Sequence, residues 1–444
     1  MPYERKEPGM GVLKGEDEVV ELCRDLIRID STNAGDNAGP GERAAAEYVA
    51  GKLAEVGLEP RILESDARRA NVVARIEGTD PGRDALLVHG HLDVVPFNAA
   101  DWTHHPLAGE VADGCVWGRG AVDMKDMDAM VLAVVRQRLR EGRRPARDVV
   151  LVFTADEEAG GTYGAQYLTE KHPDVFEGCT EAIGEVGGFS VSIDEARRLY
   201  LIEAAEKGIA WMKLTATGRA GHGSMLNSDN AVTELAEAVG RLGRHEWPVR
   251  LTPTVRLFLE EASAALNVEF DAGDAEATVA KLGPLARMIG AVLRNTANPT
   301  MLSSGYKANV IPQTATAHVD GRFLPGYEEE FFATVDELLG PQVTREFVYH
   351  DIAVETSFDG PLVAAMAASL SAEDPGARAV PYTLSGGTDL KAFSRLGIRG
   401  FGFAPLRLPA DLDFSGMFHG VDERVPVDSL KFGVRVLDRF LDLA

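Results

Sequence analysis

The sequence predicts an α/β fold: a sheet with helices on both faces, interrupted by a smaller α+β insertion. Three observations lead there. The stretch Val149–Thr154 is apolar up to its last residue, as a strand buried on both faces is, and runs into Asp156, Glu157 and Glu158. Short apolar strands alternate with helical patterns as far as about residue 204, and this texture returns from Phe358. Between these stretches the strands carry helices on one side only. A length of 444 residues exceeds most single cores, which favours two domains. One domain, 1–205 and 357–444, is therefore expected to be interrupted by a second, 206–356.

The elements follow in order. Val19, Val20, Cys23, Leu26 and Ile27 form the apolar stripe of a helix over 16–28. Gly39-Pro40-Gly41 breaks the chain, and a second helix, 42–56, stops at Gly57. Strands are expected near 58–64, 71–77 and 85–89, with Pro81-Gly82 turning between the last two. A helix over 126–141 ends at Gly142, just ahead of Val149–Thr154. Helix 162–171 and strands near 181–184 and 198–204 complete the alternation.

In the insertion, strand 209–217 leads through the loop Gly218–Ser224 to a helix near 229–243. Helical patterns near 254–266 and 274–294 come next, then strands near 298–304, 307–311 and 314–323. Helix 327–339 and strand 344–355 close it. The outer domain resumes with helix 360–371, the loop Leu384–Asp389, helix 389–396, strand 399–404 and a final helix 427–442. There is no internal repeat and no low-complexity segment.

Composition narrows the function. A formal net charge of −24 argues against nucleic acid and anionic membrane as partners, because phosphate binding needs a basic face. No apolar run reaches the length that spans a bilayer. Met1 to Asp17 is charged and lacks an apolar centre, so no secretory leader is expected. Cys23, Cys115 and Cys179 are too few and too scattered for a disulfide framework or a thiolate metal site, which fits a reducing cytoplasm.

The chemistry gathers at strand ends. Strand 85–89 runs into His89-Gly90-His91-Leu92-Asp93, and residues two apart share a face, so His91 and Asp93 point the same way. A carboxylate beside a ligating histidine fixes its tautomer. His89 has the same parity and is a rival ligand. Asp123 ends a glycine-rich stretch ahead of a helix; it is either that helix's N-cap or a carboxylate bridging two metals. Glu157 and Glu158, Glu185 in Gly184-Glu185, and His419 in Phe418-His419-Gly420 complete the set. Histidines with carboxylates and no thiolate suit Zn²⁺, with Co²⁺ or Mn²⁺ as substitutes. Two such ions polarise a carbonyl and bring a water's pKa near neutrality, and a glutamate off the metal then moves its proton.

Together, His91-Leu-Asp93-Val-Val-Pro96, Gly118-Arg-Gly-Ala-Val-Asp123-Met-Lys125, Asp156-Glu157-Glu158, Gly184-Glu185 and Phe418-His419-Gly420 resemble the M20 dinuclear zinc peptidases. That family includes aminoacylase-1, carboxypeptidase G2 and carnosinase-type dipeptidases. The resemblance runs from about residue 16 to 440, in the family's order. It implies a zinc-peptidase-type mixed sheet and a ferredoxin-like lid that also forms a homodimer. It selects His91 over His89: His91 and Glu185 would bind one zinc, Glu158 and His419 the other, with Asp123 bridging. Asp93 would orient His91, and Glu157 would be the general base and later the acid. The peptide bond after Asp123 would be cis.

In the lid, the resemblance makes His222 the oxyanion stabiliser, often acting in the partner's site, with Asn309 beside the substrate. Arg322 would grip the substrate's free carboxylate through two parallel hydrogen bonds, beside the loop Gly386, Gly387 and Thr388. For His222 a plain solvated loop, and for Asn309 and Arg322 a plain strand surface, are the competing readings. Asp156 is left as a turn residue. Residues 245–297 exceed the family's smallest lid.

The expected activity is hydrolysis of an amide beside a free α-carboxylate, N-acyl amino acids first. Dipeptides or carboxypeptidase substrates are the alternative, and a catalytically silent metal-binding dimer a further one. A glycosidase is disfavoured, since it needs two separated carboxyl groups and no histidine ligands.

Overall fold

A computed structural model describes residues 13–35 and 37–444. The stretch judged to lack a leader therefore lies outside the described residues up to residue 12. The chain divides into two compact units. The first runs to Ile202 and resumes over Asp359–Ala379 and Ala392–Ala444; the second comprises Glu203–Phe358 and Val380–Lys391.

The first unit is built on a mixed sheet. Its strands lie in the order Arg61–Asp66, Arg69–Ile76, Val149–Thr154, Ala85–His91, Cys179–Gly184, Arg399–Gly402 and Arg198–Glu206, the last of which passes from the first unit into the second after Ile202. Phe189–Ser192 and Ala377–Leu384 also pair with the last of these. Ala85–His91 is parallel to Val149–Thr154 on one side and to Cys179–Gly184 on the other. Both Ala85–His91 and Val149–Thr154 are buried throughout, which is why their sequences carry no alternation. Helices Lys125–Arg140 and Val427–Leu443 bring Val131, Val135, Leu437 and Phe440 over Val88, Leu151 and Ile183 on one face. On the other face His89 meets the edge of Phe393, which packs on Phe176.

The second unit holds a four-stranded antiparallel sheet in the order Thr296–Ser304, Thr314–Phe323, Gly208–Thr217, Val343–Asp351. With helices Ala231–Gly243 and Glu328–Leu339 this is the βαββαβ arrangement of a ferredoxin-like fold. Ala210, Met212, Leu214 and Ala216 face inward at period two and meet Leu235, Ala238, Phe331 and Val335 of the helices. Trp211, on the opposite face of the same strand, is exposed. In this unit Ala205 and Glu206 pair with Val354-Glu355.

The pattern over 254–266 forms the expected helix, Pro253–Leu266, capped by the Thr252 side chain and ended by left-handed Asn267. Other elements differ from expectation. The pattern over 274–294 breaks into Ala275–Val279 and short turns, interrupted at Gly283-Pro284, where φ is positive at Gly283 and the proline removes a donor. The strand expected over 307–311 shrinks to Val310–Ile311, and that over 344–355 splits after Asp351. Among the described residues, no helix is long and apolar enough to cross a membrane.

Candidate metal centre

Three parallel strands end side by side, so their C-terminal residues meet without any long loop. His91 closes one, Glu157 and Glu158 follow the second, and Glu185 follows the third. His91 Nε2 lies 3.1 Å from Asp123 Oδ1, 3.4 Å from Glu185 Oε2 and 4.0 Å from Glu157 Oε2. His419 Nε2 lies 3.2 Å from Asp123 Oδ2 and 3.0 Å from Glu158 Oε2. Asp123 thus turns one oxygen to each histidine.

Two overlapping donor groups result, His91–Glu157–Glu185 and His91–Asp123–Glu158, each with ligand atoms within 4.8 Å of one another. Glu157 falls inside the first group rather than apart from it. The helix after Asp123 starts at Lys125 with Met124 at its cap and no side-chain cap bond, so Asp123 is not an N-cap. The Asp123–Met124 peptide is cis.

The charges in this cluster fit divalent cations. His91 Nδ1 contacts the backbone carbonyl of Asp93 at 3.0 Å, which places its proton there and aims the Nε2 lone pair at carboxylate oxygens. Lone pair facing lone pair requires a proton or a metal between them. Burial, then the charge of Asp123, pushes Glu158 up to about 7, and its buried Oε1 has no hydrogen-bond partner. Burial also raises Glu185. Burial acts the same way on Asp123, but hydrogen bonds from His419 and His91 hold it below the ordinary carboxylate range. The Asp123 and Glu158 carboxylates pull His419 up to about 10. Oxygen and imidazole donors with excess negative charge are the donor set of a zinc-type site.

His89 does not join. Burial and the neighbouring His91 push it down to about 3, so it is a neutral core side chain against Phe393. Asp93 orients His91 through its backbone carbonyl; its carboxylate oxygen is 3.6 Å from the ring and serves another turn. Asp93 Oδ1 accepts from the Glu157 N–H and Oδ2 from the Glu158 N–H, both at 3.1 Å. Asp156 is more than a turn residue: it is buried, left-handed at φ 65°, and accepts from Asn33 and from the Tyr163 N–H.

Residues that the sequence did not flag complete the frame. Glu423, fully buried, accepts from the backbone N–H groups of Gly120, Val122 and Asp123 and from Arg119. Arg119 also donates to the Gly420 carbonyl, so the loops bearing Asp123 and His419 are tied together. Burial pushes Glu423 up to about 7. No local signal marks it, since it acts on backbone about 300 positions away.

The other candidates lie in the second unit. Gly221–His222 pairs with Val310–Ile311, and the Gly223 N–H donates to the Asn309 carbonyl, so His222 and Asn309 sit on one exposed ribbon. His222 Nδ1 contacts Ser224 Oγ at 2.8 Å. Arg322 already makes two parallel bonds, to Asp320, from Nε at 2.6 Å and Nη2 at 3.1 Å. The two residues share one face of a strand, so the nearest carboxylate for that edge of the fork is internal. Gly386 and Gly387 precede Thr388, whose N–H and hydroxyl both donate to buried Glu206.

Comparison with known proteins places the chain in a family. The sequence pattern of "Peptidase family M20/M25/M40" matches residues 87–443. The chain belongs to this family. Among its M20 relatives, "Aminoacylase-1" of Sus scrofa is 29% identical over 340 residues, 76% of this chain and 74% of that protein. "Probable carboxypeptidase S-like 2" of Dictyostelium discoideum is 28% identical over 384 residues, 81% of this chain and 72% of that protein. An M20 family metallo-carboxypeptidase from Sulfolobus solfataricus shares the fold with a TM-score of 0.72 at 18% identity, covering 96% of this chain and 99% of that one. This M20 chain is a metal-dependent hydrolase of amide or peptide bonds.

Proposed function

We propose that the protein hydrolyses N-acyl amino acids at a dinuclear zinc centre, with Co²⁺ or Mn²⁺ as substitutes. The observation that carries the two-metal reading is Asp123, whose oxygens face His91 and His419 separately. His91 and Glu185 would hold one ion, Glu158 and His419 the other. Bound there, the ions supply a water of near-neutral pKa and polarise the amide carbonyl.

The remaining work falls to side chains of this chain. Glu157, positioned through its N–H on Asp93, takes the water's proton and delivers it to the leaving amine. His222, its Nδ1 engaged by Ser224, presents Nε2 to the developing oxyanion. Asp320 fixes the plane of Arg322, whose outer Nη1–Nη2 edge meets the substrate's α-carboxylate. Asn309 and the Gly386–Thr388 loop complete that pocket. Similarity to aminoacylase-1 favours an acyl group over a charged amine on the other side of the bond.

The inserted unit, about 206–356, acts as lid and dimer contact, so His222 works in its own or its partner's site. Exposed Met225, Leu226, Met301, Leu302 and Tyr306 support a homodimer, because apolar side chains in such number mark a surface that is covered. Three unbridged cysteines fit a cytoplasmic setting.

A panel on the zinc- and cobalt-loaded protein tests the substrate. It pairs N-acetyl, longer N-acyl and dipeptide substrates with one shared carboxyl-terminal residue. Turnover of the N-acyl compounds is expected. Turnover of dipeptides alone selects the dipeptidase reading, and turnover of neither class overturns the proposal.

A further inference from the structure

Asn33 lies between two buried carboxylates and uses every hydrogen-bonding position it has. Its Nδ2 donates to Asp93 Oδ2 and to Asp156 Oδ1, both at 2.9 Å. Its Oδ1 accepts from Arg69 Nη2 and from the Gly35 N–H, both at 3.0 Å. Two donors and two lone pairs are all that a side-chain amide offers, so its orientation is fixed. Asn33, Asp93 and Asp156 are each at most 3% exposed. Arg69, equally buried, is anchored in turn by Glu42 and Asn37.

The two carboxylates flank the short turn Glu157–Ala159. Asp156 is its left-handed entry residue, and Asp93 receives the N–H groups of Glu157 and Glu158 from below. Like charges this close repel unless donors stand between them, and buried charges need hydrogen bonds to persist. An amide is suited to that place: both of its N–H bonds point at oxygens. An aspartate of the same size would turn lone pairs on lone pairs and add a third charge.

We propose that Asn33 is a positioning residue for the Glu157–Glu158 turn, holding Asp93 and Asp156 in register so that one glutamate reaches the metal and its neighbour the water. The inference rests on the hydrolytic reading above, but its geometry involves no substrate contact, so its effect falls on kcat and on metal retention.

Asn33→Asp is the test, with the zinc-loaded protein. A kcat about 100-fold lower, with KM within about threefold of the parent, is expected for a base displaced on the ångström scale. Zinc should also pass to a chelator at about tenfold lower chelator concentration, because a supporting bond to a ligand-bearing turn is lost. Should that variant fail to fold, Asn33→Ser keeps one donor and no charge; there a kcat loss of about tenfold is expected. A folded variant with parental kcat, or with its loss confined to KM, overturns the proposal. If the parent protein hydrolyses nothing in the panel, the substrate reading fails while the chelator midpoint still decides on Asn33, and an unmoved midpoint overturns it.

Discussion

Glu157 and Glu158 are adjacent in sequence yet stand in different surroundings. Glu158 is the more enclosed, 3.0 Å from His419, with one oxygen lacking any hydrogen-bond partner; Glu157 is 4.0 Å from His91 and less enclosed. In the proposed mechanism that division would let one strand end supply a ligand and a base. On the proposal that His222 stabilises the oxyanion, His222→Ala should lower kcat by roughly 10²–10³-fold, the range for losing one such donor. Steady-state kinetics on the metal-loaded variant check this, and an unchanged kcat returns His222 to a plain loop histidine. His91, Asp123, Glu157, Glu158 and Glu185 were legible because each ends an apolar strand or glycine-rich stretch, whereas His419 gained its role only through the family resemblance. Asn33, Arg69 and Glu423 were not, because the carboxylate, guanidinium and backbone partners that define their roles lie tens to hundreds of positions away and leave no local pattern. His89 shows the limit from the other side: strand parity offers it as readily as His91, and only Phe393 and the backbone of Gly184 against its ring make it core.

At the scale of elements, continuous apolar runs and regular stripes were readable, while very short strands and the broken pattern over 274–294 were not. Val149–Thr154, apolar up to its last residue, and the striped 16–28 stand close to their expected limits. Glu110–Ala112, Cys115–Trp117 and Arg424–Pro426 are only three residues each, too short for any period to register. Ala377–Leu384 contains a proline, which speaks against a strand locally. One tie between elements gives a pH prediction. Asp374, just past helix Gly360–Glu373, pairs with Arg198 at the start of strand Arg198–Glu206 and accepts from Tyr200. The Arg198 hydrogen bonds, against burial, hold its carboxyl down to about 2. A folded-state value below the ordinary 3.8 means the unfolded chain takes up the proton first. This contribution to stability is therefore present above about pH 4 and lost as pH falls toward 2. Denaturation followed from pH 5 to 2 should show that loss, and Asp374→Asn should flatten it while lowering stability at neutral pH. A variant with the parental pH dependence would remove this pair from the account.

For the whole molecule, two units divide the work. The first gathers metal donors from parallel strand ends, the second carries an exposed ribbon with His222 and an exposed edge strand with Met301 and Leu302. Light scattering should give a mass near twice the 47.7 kDa of one chain, and Met301→Glu with Leu302→Glu should give folded monomers. A parent that is monomeric at micromolar concentration contradicts the dimer reading. The acyl pocket left no sequence signature, since pocket shape is set by packing rather than by motif. In the proposed mechanism Asp123 bridges the metal centre and Glu157 moves protons. Glu157→Gln tests it most directly, with turnover and bound zinc measured on the same sample. A kcat lower by about 10²–10⁴-fold, the contribution of a general acid–base, is expected, with close to two zinc ions still bound per chain. Retained turnover, or zinc lost along with activity, would contradict it.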